Sequence, residues 1–334
     1  MGQSSQHSIM PASRPLRIVL PGGSGQLGHV LARHFHEQGH HVTVISRHPK
    51  AWPWRAIAWD GETPGSWAAA IDGADAVINL AGHTVNCRYT DKHRREIKNS
   101  RIFTTRLVGD AIAAARNPPA VWLNASTATI YRHSLDRRMD ETSGEIGGKE
   151  FGVPESWRFS VDVALSWERT LFAVNTSHTR KVAMRSAMVM TPDSGGVFDA
   201  LLRLVRWGIG GPAGNGQQYV SWIHDVDYVR AIEFLIADEA CSGPMNICSP
   251  CPVRNVEFMC NLRRSWCTSY FGIPAPEWAL DIGAVLLQTE PELVLKSRWV
   301  APARLQSAGF DFHFPNWRSA CQDLVTRWRE LHAD

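Results

Sequence analysis

Short apolar runs alternate with longer segments of helical periodicity through the first half of the chain. An apolar run predicts a strand buried on both faces, and apolar residues repeating every three to four positions predict a helix with one buried face. The predicted strands are residues 16–20, 41–45, 57–59, 76–80, 121–125 and 182–184, and the predicted helices are residues 26–38, 90–115 and 157–174. This alternation is typical of an α/β fold of the Rossmann type, a doubly wound parallel sheet with helices on both faces.

The pattern changes after about residue 190, where regular alternation is lost and glycine and proline cluster in GIGGPAGNG, residues 208–216. We therefore divide the chain into a dinucleotide-binding Rossmann domain over residues 15–190 and a smaller C-terminal α/β lobe over residues 191–334. The lobe is expected to be woven into the first domain and to contact the substrate. Residues 1–14 are mostly polar and predict a flexible tail.

Composition and charge exclude several classes of partner. The 334 residues are 44% hydrophobic and 20% charged, as in ordinary globular proteins. The net charge of +3 indicates neither a nucleic acid nor an anionic membrane as partner, and no apolar run approaches the ~18 residues of a membrane span. Seven scattered cysteines without a secretory signal favour reduced thiols in the cytoplasm. Cys248 and Cys251 form one Cys-x-x-Cys without a second, so no metal site is expected.

The segment LPGGSGQLGHVLARHF, residues 20–35, places three glycines at a spacing of three: Gly22, Gly25 and Gly28. A tight turn from strand to helix needs glycine where the backbone takes positive φ or approaches another group closely. The start of the following helix presents unpaired N–H groups and a partial positive charge, which suit a pyrophosphate. Between a strand and a helix, with a second strand beyond, this spacing predicts a dinucleotide site.

The end of the second predicted strand indicates which dinucleotide fits. A site for NAD usually places Asp or Glu there to bind the ribose 2′-hydroxyl. This chain has Ser46 and Arg47 instead, with no carboxylate nearby. Because a guanidinium binds phosphate through two parallel hydrogen bonds, we predict NADP(H) in preference to NAD(H).

Further motifs resemble those of one protein family. Together with the glycine turn, VINLAG at residues 77–82 and ASTATIY at residues 125–131 resemble the extended short-chain dehydrogenases/reductases. REIKNSRIFTTRLVGDAI at residues 95–112 and VAPARLQSAGFDF at residues 300–312 resemble, more closely, an atypical branch of that family. This branch comprises NAD(P)-dependent epimerase/dehydratase-like oxidoreductases with a C-terminal domain of unknown function, and the resemblance covers nearly the whole chain.

The resemblance implies which residues bind the cofactor and which one acts in catalysis. By this resemblance, the pyrophosphate contacts Gly22, Gly25, Gln26, Leu27 and Gly28, and the adenosine phosphate contacts Ser46 and Arg47. The ribose and the bridging phosphates lie over Leu80, Ala81 and Gly82. The helix that faces the cofactor carries Ser100 and Arg101. Thr127 occupies the position of the family's catalytic Ser or Thr at the end of the fifth strand.

The chain departs from the family pattern at the usual proton donor. The family uses a Tyr-x-x-x-Lys pair, in which the lysine lowers the tyrosine pKa so that the phenol exchanges a proton near neutral pH. None of the five tyrosines has a lysine four residues later, and Ser160 and Ala164 stand at the positions of the pair. In our interpretation Thr127 polarises a carbonyl while Tyr131 or water moves the proton; the alternative for Tyr131 is a packed aromatic side chain.

We therefore expect an NADP(H)-dependent oxidoreductase, monomeric or homodimeric, that acts on an unidentified small carbonyl or hydroxyl compound. Two alternatives remain open: a nucleotide-sugar epimerase or dehydratase, and a non-catalytic NADP(H)-binding regulator. Val220 stands where nucleotide-sugar enzymes usually carry arginine, which argues against the first, and the missing Tyr–Lys pair keeps the second open. His224 and Asp227 are expected to organise the junction between the two lobes.

Overall fold

The computed structural model describes residues 14–266, 272–276 and 292–333 of the chain. Its strands are, in chain order, β1 (Arg17–Pro21), β2 (His41–Ser46), β3 (Arg55–Ala58), β4 (Ala76–Asn79), β5 (Val121–Thr127), β6 (Arg180–Ser186), β7 (Met188–Met190), β8 (Tyr219–Val220), β9 (Trp222–His224), β10 (Gly243–Ile247) and β11 (Val253–Arg254). Its helices are α1 (Gln26–Glu37), α2 (Asp91–Ala114), α3 (Glu155–Ala173), α4 (Val197–Arg206), α5 (Asp225–Ala237), α6 (Asn255–Trp266), α7 (Glu292–Leu295), α8 (Ala303–Ser307) and α9 (Trp317–Leu331).

Seven strands form one sheet in the order β10–β6–β5–β4–β1–β2–β3, and every neighbouring pair is parallel. Side chains alternate between two cores, because successive residues of a strand point to opposite faces. Along β1, Ile18 and Leu20 pack in the core that contains residues of α1 and α5. Val19 packs in the opposite core, with residues of α2 and α3. This architecture confirms the predicted doubly wound parallel sheet of the Rossmann type.

The boundaries of the predicted elements differ from the observed ones by a few residues. The strand predicted at residues 182–184 is longer in the structure, where β6 covers Arg180–Ser186. The strand predicted at residues 57–59 begins two residues earlier, because β3 covers Arg55–Ala58. Thr90, predicted to begin the long helix, is its N-cap: the Thr90 hydroxyl accepts a hydrogen bond from the N–H of His93 at 3.3 Å. Such a cap provides a hydrogen-bond acceptor for one of the N–H groups that have no partner within the helix.

The smaller C-terminal lobe is mainly helical. Helices α4, α6 and α9 enclose a second core, together with the short pairs β7–β9 and β8–β11. The division predicted at residue 190 does not separate two sheets, since β10 returns to the large sheet and pairs with β6 from Gly243–Val182 to Ile247–Ser186. The two lobes are therefore interwoven.

The predicted tail falls almost entirely outside the described residues, which begin at Arg14. The Arg14 guanidinium lies 2.5 Å from a carboxylate oxygen of Asp75, so the chain is fixed to the domain from this point. None of the described helices has both the length and the apolar character needed to cross a membrane.

The junction between the lobes contains the two residues expected there. The Asp227 carboxylate accepts hydrogen bonds from the backbone N–H groups of His313 and Phe314, both at 2.8 Å. His224 is fully buried; its Nε2 lies 2.9 Å from an oxygen of Asp323 on α9, and its Nδ1 accepts the N–H of Val226 at 3.2 Å. These bonds connect the last helix to the rest of the chain.

We expect the free energy of unfolding to fall as the pH drops below about 6.5, because burial lowers the pKa of His224. The unfolded chain then binds the proton first, so His224 favours the native state above pH ~6.5 and favours unfolding below it, by up to about 1.4 kcal/mol per pH unit. Denaturant titrations over about pH 5–7, a range that spans the ordinary histidine pKa, measure the slope. His224→Gln is expected to reduce it, and the same substitution at exposed His41 to leave it unchanged; equal slopes in both variants contradict the prediction.

Candidate nucleotide-binding and catalytic site

The three glycines spaced by three, at the turn between β1 and α1 and in the first turns of α1, meet different structural requirements. Gly22 has a φ of 73°, in the left-handed region that favours glycine, and a Cβ there would lie 2.5 Å from the backbone of Ala81. A Cβ on Gly28 would lie 2.4 Å from the Cα of Gly23, so this glycine lets the helix pack closely on the turn. A Cβ on Gly25 would meet no heavy atom within 4 Å. Among these three positions, Gly25 alone borders open space, where a ligand can approach the backbone.

The first turn of α1 is open to an anion. Gly25 is the N-cap and provides no side-chain hydrogen bond, and the turn contains no acidic residue. Because the first N–H groups of a helix have no partner within it, those of Gln26 and Leu27 are available to a phosphate. The Gln26 side chain points elsewhere, donating to the carbonyl of Asp193 at 3.3 Å. The predicted pyrophosphate residues therefore offer backbone groups at this turn.

The loop after β4 lies beside this turn and is held by α2. Leu80 is half-buried and Gly82 is exposed. The Ser100 hydroxyl accepts the N–H of His83 at 2.9 Å, and the Arg101 guanidinium donates to the carbonyl of His83 at 3.0 Å. Ser100 and Arg101 thus fix the loop that follows Gly82, which gives these two predicted cofactor residues an observed positioning role.

The end of β2 also lies next to the glycine turn, because the N–H of Gly22 donates to the carbonyl of Ile45 at 2.8 Å. Ser46 is buried, and its hydroxyl accepts the N–H of His48 at 3.2 Å. Arg47 is exposed and has no ion-pair partner within the described ranges. The structure thus brings Ser46 and Arg47 to the same edge of the sheet as the glycines.

Thr127 closes β5 at this edge, two strands away from β1 in the sheet. Its hydroxyl oxygen accepts the N–H of Thr129 at 3.1 Å, which fixes the side chain while leaving the hydroxyl hydrogen for another acceptor. The preceding residue, Ser126, points to the other side, where it donates to the buried Glu168 at 2.6 Å. Thr127 is half-buried.

Tyr131 lies in a buried network rather than at an open site. Its side chain is 2% exposed; the hydroxyl donates to Asn246 at 3.0 Å and accepts from Arg185 at 2.9 Å. Arg185 in turn forms two hydrogen bonds of 2.8 Å with Glu168. Burial raises the pKa of Tyr131 to about 12. This geometry disagrees with the predicted proton-donor role and matches the alternative, a packed aromatic side chain, because both hydrogen-bonding functions of the phenol are already used.

Sequence reasoning missed a charged cluster beside Ser160, the residue at the family's tyrosine position. The Ser160 hydroxyl lies 2.5 Å from Oε2 of Glu292, and the Nζ of Lys296 lies 3.7 Å from Oε1 of the same carboxylate. Lys296 also donates to the carbonyl of Thr129, at 2.8 Å. Burial lowers the pKa of Lys296 to about 8. No local pattern indicates that residues 292–296 pack against α3, so the sequence alone contains no signal for this cluster.

The two cysteines of the CSPC segment, Cys248 and Cys251, differ in burial. Cys248 is fully buried, and burial raises its pKa well above the ordinary value; Cys251 is exposed. In the part of the chain that the structure describes, no three His, Cys, Asp or Glu side chains are grouped so as to hold a metal ion.

Comparisons with known proteins agree with this fold. The epimerase family protein SA0724 of Staphylococcus aureus (strain N315) is 29% identical over 311 residues, covering 92% of this chain and 99% of that protein. The crystal structure of human epimerase family protein SDR39U1 (isoform 2) with NADPH matches with a TM-score of 0.81 at 28% identity, covering 93% of this chain and 99% of that one. The nucleoside-diphosphate sugar epimerase from Corynebacterium glutamicum matches with a TM-score of 0.72 at 24% identity, over 96% and 62% of the two chains, and shares the fold.

Two family models match consecutive parts of the chain. The model described as "Domain of unknown function (DUF1731)" matches residues 275–324, in agreement with the C-terminal domain that the motifs led us to expect. The model described as "NAD dependent epimerase/dehydratase family" matches residues 18–248, more than half of the chain. The chain therefore belongs to the NAD dependent epimerase/dehydratase family and contains a DUF1731 domain at residues 275–324.

Proposed function

We propose that this protein is an NADP(H)-dependent oxidoreductase that acts in the cytoplasm on a small carbonyl or hydroxyl compound. The observation that carries the proposal is that the open backbone at Gly25 lies at the same edge of the sheet as the Arg47 guanidinium, which has no ion-pair partner among the described residues. A dinucleotide fits here because the backbone at Gly25 is accessible and the first N–H groups of α1 lack a side-chain cap. The human relative SDR39U1, crystallised with NADPH, supports the same choice of cofactor.

The residues of the site divide the work between binding and catalysis. The N–H groups of Gln26 and Leu27 would bind the diphosphate, and the Arg47 guanidinium would bind the 2′-phosphate through paired, charge-assisted hydrogen bonds. A bound nicotinamide supplies or accepts the hydride. Thr127, with its oxygen occupied by the N–H of Thr129, donates its hydroxyl hydrogen to the substrate oxygen and stabilises the charge that develops there.

Arg47→Ala is expected to weaken NADPH binding by about 10–100-fold, since hydrogen bonds to charged groups contribute about 1.5–3 kcal/mol. NADH lacks the 2′-phosphate, so its affinity should not change. Fluorescence titration of the purified protein with both cofactors measures this difference. Arg55→Ala is the matched control, because Arg55 is exposed at the amino end of β3, the opposite edge of the sheet. An equal loss for NADPH and NADH, or no loss for either, contradicts the assignment of Arg47.

A screen for turnover distinguishes catalysis from binding alone. NADPH consumption is measured with small ketones, aldehydes and dicarbonyls, 9,10-phenanthrenequinone among them. Consumption above the protein-free rate supports the proposal. Tight NADPH binding without consumption of any probe would instead favour the regulator, the candidate supported by Ser160 and Ala164 in place of the Tyr–Lys pair. Conversion of UDP- or GDP-sugars would favour the nucleotide-sugar enzyme.

A further inference from the structure

Three side chains from remote parts of the chain meet where the family pattern places its tyrosine. Ser160 lies on α3, whereas Glu292 and Lys296 come from the segment around α7. Glu292 is 132 residues after Ser160 in the chain. The ring of a tyrosine at position 160 would extend from the Cα that now carries the Ser160 hydroxyl group. The Glu292 carboxylate, whose oxygen is 2.5 Å from the Ser160 hydroxyl, therefore occupies space that such a ring would fill.

Glu292 and Lys296 are each 2% exposed, which is unusual for charged side chains. Oε2 of Glu292 accepts from Ser160, but the buried Oε1 forms no hydrogen bond within the described residues and faces Lys296 at 3.7 Å. An incompletely bonded, buried carboxylate is costly, and such groups are concentrated at functional sites. Ser160 itself is only half-buried, so its hydroxyl is the member of the cluster that a substrate can reach.

Other charged and titratable groups surround the cluster. Arg298 donates from Nε to the hydroxyl of Thr129 at 3.1 Å and from Nη2 to the backbone carbonyl of Glu292 at 3.4 Å. Glu150, in the loop before α3, favours the charged form of Lys296, and Tyr89 favours the charged form of Arg298. His133 lies near Lys296, and burial followed by this neighbouring charge lowers the pKa of His133. The Lys296 ammonium lies 3.7 Å from the Glu292 carboxylate.

We propose that Ser160, Glu292 and Lys296 form a proton relay that replaces the Tyr–Lys pair of the family. This inference rests on the proposed function, the exchange of a hydride between a small substrate and NADP(H). Ser160 is the residue that contacts the substrate oxygen, and Glu292 is the base behind it. Lys296 is a positioning residue, because its positive charge keeps the carboxylate ionised and next to Ser160.

In the direction of alcohol oxidation, the relay carries a proton from the substrate hydroxyl to Glu292 by way of Ser160. The substrate hydroxyl gives its proton to the oxygen of Ser160, while Ser160 gives its own proton to Oε2 of Glu292. The carbon–hydrogen bond would break as the carbon–oxygen double bond forms, and a bound NADP⁺ would accept the hydrogen with its electron pair as hydride. Glu292 is then a neutral acid, and after the product has left it returns its proton to solvent through the hydroxyl of the half-buried Ser160. Reduction follows the same steps in reverse.

The relay is tested first without turnover, by nuclear magnetic resonance titration of the Lys296 side chain in the full-length protein, assigned with Lys296→Met. We expect Lys296 to titrate near 8, and at a lower pH in Glu292→Gln, because the substitution removes the negative charge that favours the ammonium. Asp162→Asn is the control, since Asp162 is exposed on the same helix as Ser160. No change in the titration of Lys296 in Glu292→Gln overturns the relay, because Lys296 would then not interact with the Glu292 carboxylate.

Turnover provides the second readout, with 9,10-phenanthrenequinone and the other carbonyl probes. Glu292→Gln keeps an acceptor for the Ser160 hydroxyl but cannot exchange its proton, so kcat should fall about 100-fold, within the usual contribution of general acid–base catalysis. The pH dependence of kcat should flatten with NADPH affinity unchanged, and the melting temperature should fall, because the amide leaves Lys296 buried without a compensating charge. Ser160→Ala should reduce kcat at least about tenfold, and this second variant keeps the test valid if Glu292→Gln does not fold.

The outcomes separate this inference from the function on which it rests. Wild-type turnover that survives in Glu292→Gln and Ser160→Ala overturns the relay and leaves the proposed function in place. Absence of turnover by the wild-type protein with every probe overturns both. Lower kcat with an unchanged pH profile indicates that the contact between Ser160 and Glu292 is merely structural, which also overturns the relay.

Discussion

Gly25→Val is expected to weaken NADPH binding by about 10²–10⁴-fold while the unliganded protein stays folded. The backbone of Gly25 has φ −76° and ψ 173°, an extended conformation open to any residue, and no heavy atom lies within 4 Å of a Cβ placed there. The new side chain would instead stand in front of the N–H groups of Gln26 and Leu27. Two charge-assisted hydrogen bonds to the diphosphate, each about 1.5–3 kcal/mol, would be lost together.

Gly28→Ala is the matched comparison for Gly25→Val. A Cβ at Gly28 would lie 2.4 Å from the Cα of Gly23, so this smaller change should lower the melting temperature as well as the affinity. For Gly25→Val the cost to stability should stay within about 1 kcal/mol, as for an unfavourable N-cap residue. Fluorescence titration and thermal melting of both variants are the measurements. Normal NADPH affinity in Gly25→Val would show that the diphosphate does not lie against this turn.

Glu168→Gln should lower the free energy of unfolding by about 3–5 kcal/mol, the usual effect of breaking a buried ion pair from one side. The Glu168 carboxylate accepts two hydrogen bonds from Arg185, both at 2.8 Å, and one from Ser126 at 2.6 Å. The side chains of Glu168 and Arg185 are each 9% exposed. The amide leaves the Arg185 guanidinium buried without a compensating charge, next to the Tyr131 hydroxyl to which it also donates.

The same change at an exposed ion pair on the same helix provides the control. Glu155 pairs with Arg94 at 2.6 Å, but the Glu155 side chain is 79% exposed. Glu155→Gln should therefore cost no more than about 1 kcal/mol, because solvent screens such pairs. Equilibrium unfolding in urea measures both variants. Equal effects at the two positions would mean that the buried network contributes no more to stability than a surface contact.

The sheet and the glycine turn were predictable because their signals are local. Apolar runs define strands, and the spacing of Gly22, Gly25 and Gly28 reports a turn whose steric requirements act within a few residues. The role of Tyr131 was not decided by its neighbours in sequence, since its partners are Arg185 and Asn246, 54 and 115 positions away. What surrounds a side chain in the folded state depends on which remote segments meet there.

The C-terminal part of the site shows the same limit more strongly. The motif at residues 300–312 indicated the family, yet it contained nothing about which groups face α3. Glu292 and Lys296 stand four positions apart, a common spacing for two charges on the surface of a helix. Only the packing of their segment against Ser160 turns them into a buried pair.

The placement of β10 has a consequence for how the protein is made. This strand completes one edge of the large sheet, but the ribosome synthesises it only after β7 to β9 and α5. Until then β6 presents a row of unpaired N–H and C=O groups, which is a template for pairing with other chains. Co-translational folding of the nucleotide-binding region therefore cannot finish before Ile247 has left the exit tunnel, and the nascent chain needs protection from aggregation during that interval.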